Sequence, residues 1–168
     1  MGGRVILSYG VLGVAGLLTQ AICRLGPIAA EPLVDRSLDA FQGALYVAWA
    51  ASSLYFEGYR AFQLRFCPRV VARAAWLAAH PTPLRVALAP LFCMGFFHAR
   101  RATLALAWGT SAMVVGFVVA LRHVAQPWRG IVDGGVVLAL GWGLLTLLAS
   151  LASTLAGRAP RSSPELPD

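Results

Sequence analysis

The sequence predicts an all-α fold: a polytopic transmembrane helical bundle of about five spans, four if the third is re-entrant, plus one interfacial amphipathic helix. Three observations carry that expectation. Of the 168 residues, 58% are hydrophobic and only 12% charged, against about 25% charged in a soluble domain. Mean hydropathy is +0.70, so the chain has too little polar surface to cover itself in water. Apolar runs of spanning length recur along it, separated by short polar breaks. Residues 1–156 are expected to form one integral membrane helical domain, and the Pro-, Ser- and charge-rich stretch 157–168 a disordered tail.

The first span is expected at Val5–Cys23, close to the ~30 Å hydrocarbon thickness at 1.5 Å per residue. It exceeds the 7–15 residues of a signal-peptide core, and no clean A-x-A site follows, so it is read as a retained helix. Gly10, Gly13 and Gly16 offer a smooth face for close helix contact. From Arg24 to Asp39 the chain turns polar and reads as a solvated loop, with Asp35-Arg36-Ser37 positioned to cap the next helix. A second span at Ala40–Phe56 carries the small row Ala44, Ala48, Ser52 and aromatic ends at Tyr46, Trp49, Tyr55 and Phe56.

Glu57–Pro83 is the long exception to this pattern of apolar runs and short breaks. Arg65, Arg69 and Arg73 recur every four residues and share one helical face. Phe66, Val70, Ala74 and Leu77 form an apolar face beside that row. Pro68 suits a first turn, so a helix is expected from about Cys67 to just before His80. It reads as lying in the interface plane with its arginines toward lipid phosphates; the plainer alternative is a solvated connecting helix.

The third apolar run, Leu84–Phe97, is short and contains Pro90, so it either spans a thinned bilayer or re-enters. Ala99-Arg100-Arg101 then turns into a fourth span, Ala102–Leu121, with small residues four apart at Ala105/Gly109 and Ala112/Gly116/Ala120. The patch Arg122–Gly130 leads to Asp133 at the mouth of the fifth span, Ile131–Leu155, which carries Gly135, Ala139 and Gly143 at the same spacing.

All 14 basic residues are arginine and the net charge is +7. In so apolar a chain this points to anionic head groups and the positive-inside bias rather than nucleic acid. Five crossings put eight arginines on the N-terminal side and six on the other, favouring a cytoplasmic N-terminus in a multi-pass cell-membrane protein, expected in a bacterial inner membrane.

Candidate chemistry is sparse. Glu57, Asp133 and His123 are the acid/base candidates, placed by the span count at one membrane level together with His80. Arg60 and Arg129, with Arg65, Arg69 and Arg73, are the candidates to hold an anionic head group. The plainer reading makes Glu57–Arg60 a helix-end ion pair, Asp133 a charge favoured by the helix N-terminus, and the histidines interfacial. Cys23, Cys67 and Cys93 are widely spaced, and no metal or cofactor signature occurs. The function expected first is a non-catalytic accessory or assembly component packing through small-residue helix faces. An enzyme acting on a lipid or polyprenyl substrate at the cytoplasmic interface is the alternative, and an oligomeric transporter a third. Expected partners are membrane lipids and a homo-oligomeric or other membrane-protein partner.

Overall fold

The computed structural model describes residues 2–160 and 162–166, and no strand occurs among them. The helices are α1 (Gly3–Val34), α2 (Ala40–Ser53), a π-helical segment (Leu54–Phe66), α3 (Cys67–Ala79), α4 (Pro83–Ala87), α5 (Ala89–Met94), α6 (Arg101–Leu121) and α7 (Trp128–Leu155). Three described helices, α1, α6 and α7, are long and apolar enough to cross a membrane.

α1 runs eleven residues beyond the expected end of the first span, through Pro27 and Pro32. A proline has no N–H for the carbonyl four residues earlier, and tertiary contacts make good the loss. Pro32 orphans the Ile28 carbonyl, and Gln126 Nε2 donates to it at 3.2 Å. Tyr46 Oη donates to the neighbouring Ala29 carbonyl. The expected loop is therefore mostly helix, because partners distant in sequence satisfy the backbone that the prolines leave open. The cap of α2 is Asp39 rather than the 35–37 triplet. Its Oδ1 accepts from Gln42 N at 2.7 Å while Gln42 Oε1 accepts from Asp39 N, a reciprocal capping box.

α2, the π segment and α3 follow one another without a non-helical residue, the junctions at Ser53, Leu54, Phe66 and Cys67 all being right-handed. Pro68 falls in the first turn of α3 as expected, but the helix arrives there from the π segment. This stretch runs parallel to α7 and antiparallel to α1: Tyr46 lies against Gly134, Gly58 against Trp142, Phe62 against Gly143, and Gly3 against Ala78. Val11 and Val14 of α1, Val70 and Leu77 of α3, Phe92 of α5 and Leu147 of α7 meet in one core.

The third apolar run is no single helix. Leu88 (φ −102°, ψ 27°) separates α4 from α5, and Gly95 at φ +90° ends α5 in the left-handed turn that glycine tolerates. α5 packs on α1 where Gly10 meets Cys93 and Gly13 meets Pro90. The chain then returns through Phe97 and His98 to the end of the bundle from which it came. Gly10 and Gly13 thus serve the close contact expected of them, whereas no atom lies within 4 Å of a Cβ placed on Gly16. α6 makes no extended contact with another helix among the described residues, and only 6% of its apolar window is buried.

Candidate functional site

The π segment decides where the middle charges point. With about 4.4 residues per turn and i→i+5 hydrogen bonds, residues four and five apart share a face, and residues three apart do not. Phe56, Arg60, Ala61 and Arg65 accordingly line one shallow groove of about 180 Å³. Glu57 is about a third of a turn from Arg60 in this geometry, so the i,i+3 ion pair expected of an α-helix does not form. Among the described residues Glu57, Arg60 and Arg65 make no side-chain hydrogen bond or ion pair, and all three are exposed. The opposite face of the segment is packed: Gln63 Oε1 accepts from Trp142 Nε1 at 2.7 Å, and Phe62 lies on Gly143. Trp142 and Gly143 are at the middle of α7, so the charged outer face lies level with the middle of that apolar helix.

Arg73 departs from the expected head-group row. It is completely buried, and all five of its N–H groups are used on backbone carbonyls. Nε donates to Phe92 O at 2.6 Å, one terminal nitrogen to Pro164 O and Glu165 O, and the other to Phe97 O and His98 O. The guanidinium also lies 4.3 Å from the centre of the Phe92 ring. Burial is the main cause that draws its pKa down to about 10, which leaves it charged at neutral pH. Arg73 follows Val70 by three and precedes Leu77 by four, and that spacing puts it on the buried stripe. Its neighbour Arg69 is turned instead to Glu165, 3.6 Å away. Only Arg65 of the three keeps the outward direction expected of the row.

Residues 164–166 of the tail are likewise held rather than free. Glu165 Oε2 accepts from Thr103 Oγ1 at 2.7 Å, Glu165 O accepts from Arg100 N, and Leu166 packs against the core. Arg73 thereby joins α3, the end of α5, the 97–98 turn and the tail. The signals that this could happen were the buried-stripe spacing of Arg73 and the lone apolar Leu166 after a run of polar residues.

Of the acid/base candidates, Glu57 and Asp133 are not brought together. Asp133 is buried on α7, with Arg129 Nε 3.7 Å from its Oδ2. Trp142, which marks the level of Glu57, is nine residues further along α7, about 13 Å by the helix rise. His123 is exposed in the turn after α6. His80 stacks on Trp76, at the end of the bundle opposite Asp133. No group of three His, Cys, Asp or Glu among the described residues is arranged to hold a metal ion. No family model, curated protein or solved structure matches the chain.

Proposed function

We propose that the chain is a non-catalytic membrane component that crosses the bilayer several times and assembles with transmembrane helices outside itself. The observation that supports this is a pair of surfaces left unfinished within one chain. The outer face of the π segment carries unpaired charge level with the middle of α7, and α6 is apolar on every side with almost none of it buried. An isolated charge facing lipid is costly, so the first surface calls for a protein or aqueous neighbour. The catalytic alternative needs Glu57, Asp133 and His123 to reach one substrate, and the rise of about 13 Å along α7 between Asp133 and the level of Glu57 gives it no support.

In this reading α1, Ala40–Phe66, α6 and α7 make four crossings, and α4–α5 dips in and returns. Both chain ends then lie on one side of the membrane. That side carries Arg4, Arg69, Arg73, Arg85, Arg100, Arg101 and Arg158, against Arg24, Arg36, Arg122 and Arg129 on the other. Seven against four is a clearer positive-inside margin than the five-span count offers, and it favours cytoplasmic termini.

A photo-crosslinking residue at Ala61 and another at Val115 of α6, each incorporated in cells and activated in native membranes, test the assembly reading. A protein adduct from at least one position is expected. Lipid adducts alone from both positions overturn it.

A further inference from the structure

We propose that the outward face of the π segment is the contact surface of a two-fold homodimer, in which Glu57 of each copy pairs with Arg60 of the other. The proposal rests on the assembly reading and names its partner.

Charge and symmetry carry the inference. Two copies inserted in the same orientation are related by a two-fold axis along the membrane normal, and the surface they share must complement itself. Such an axis brings one margin of a helix face against the opposite margin of its copy at nearly the same depth. Phe56, Arg60, Ala61 and Arg65 line the groove; at about 4.4 residues per turn Arg60 falls at one margin of that face and Glu57, outside the groove lining, just beyond Ala61 at the other. They differ by three residues in height, less than one turn. The two-fold operation therefore sets each Glu57 beside the other copy's Arg60, twice over, in surroundings where water competes weakly for the charges. Ala61 at the centre lets the helices approach. Arg65 lies further toward the end that carries Arg69, where its long side chain reaches polar surroundings.

An anionic head group is a poorer fit to this face. It would satisfy Arg60 and Arg65 but leave Glu57 beside a second negative charge. Within one chain Glu57 has no described partner, and the π geometry keeps it from Arg60 on its own helix. A second copy supplies the missing partner for both.

The full-length protein in lipid nanodiscs and in native membranes provides the test. With Cys23 replaced by serine, so that only the buried Cys67 and Cys93 remain, Ala61→Cys is expected to give a disulfide-linked dimer on mild oxidation. Glu57→Arg and Arg60→Glu are each expected to weaken dimerisation at least tenfold by single-molecule photobleaching counts across a dilution series. The Glu57→Arg/Arg60→Glu double variant is expected to restore it, since the exchanged charges complement each other again across the two-fold axis. Circular dichroism checks that each variant folds; if a charge reversal does not, Glu57→Gln and Arg60→Gln replace it.

A monomer at every dilution with no Ala61→Cys dimer overturns the proposal. So does a dimer indifferent to both single charge reversals. If the photo-crosslinker at Ala61 captures a different protein, the second-copy assignment fails while the assembly reading stands. If Ala61 and Val115 capture only lipid, both fail.

Discussion

Arg73 shows how much one side chain can organise when its geometry is matched. The guanidinium offers five N–H groups in a fixed fork, and five carbonyls from three parts of the chain accept them. Lysine has three donors at a single point and cannot reproduce the fork. Arg73→Ala leaves buried carbonyls without donors, and we expect it to destabilise the fold by about 2–4 kcal/mol. Limited proteolysis should then cut the tail after Arg158 well before the bundle opens, with Arg73→Lys intermediate; a tail equally resistant in all three proteins would refute the clamp. Close by, His98 sits in a left-handed turn at φ +51°, leaning on Trp76 and Phe92. Slight burial first, then Arg85 and Arg73, lower its pKa below the ordinary 6.5. The unfolded chain therefore takes up the proton before the folded one does. This contribution leaves stability flat above about 6.5 and lowers it as pH falls through that value toward the folded pKa. Comparing thermal unfolding of the native protein and His98→Gln between pH 7.5 and 5.5 should show a shallower acid decline in the variant.

Small-residue spacing recurs on nearly every helix, yet only some of those rows are contacts. On α7, a Cβ on Gly143 would come within 2.7 Å of the Phe62 ring, and one on Gly134 would press on the Tyr46 ring. On α6, Gly109 and Gly116 face open space. Ala44, Ala48 and Ser52 of α2 also form an exposed row. Gly143→Ala is accordingly expected to cost about 1–3 kcal/mol through overpacking. Gly109→Ala should gain roughly 0.5–1 kcal/mol from helix propensity in the isolated chain. Steric-trap or urea unfolding in detergent micelles distinguishes them; equal losses at the two sites would mean that α6 packs as α7 does. The same two substitutions illustrate what is legible in spacing. A glycine every four residues marks a helix able to pack, but carries nothing about which neighbour takes up the offer. The π segment was less legible still. LYFEGYRAFQLRF reads as an ordinary α-helical stretch, and only its packing on Trp142 and Gly143 reveals the wider turn that separates Glu57 from Arg60.

At the scale of the whole molecule, the route of the chain follows from where it turns back. Leu84–Phe97 was short and contained Pro90, two signs that it is not a simple crossing, and the structure has it return through Gly95 and His98. The four crossings proposed above put both chain ends on one side. A membrane-impermeant maleimide should therefore label Gly2→Cys and Ala159→Cys, introduced into the Cys23→Ser background, from the same face of sealed vesicles; opposite labelling would restore an odd number of crossings.

The sequence by itself determined the solvent of this protein. Too few charges and several long apolar runs leave helices in lipid as the consistent outcome, whatever their arrangement, because hydropathy is a sum over residues and needs no partner. It also located the bounds of α3, since proline effects are local, though it placed the cap of α2 at residues 35–37 where Asp39 serves. Which residues are neighbours was decided only by tertiary structure. Pro32 stays helical because Gln126 reaches Ile28; Arg73 turns inward because carbonyls from residues 92 to 165 converge on it. Glu57 and Asp133 stay apart because the π segment packs on α7 with Gly58 against Trp142, nine residues beyond Asp133. Such pairings depend on contacts between residues up to about a hundred positions apart, and one sequence carries no local mark of them.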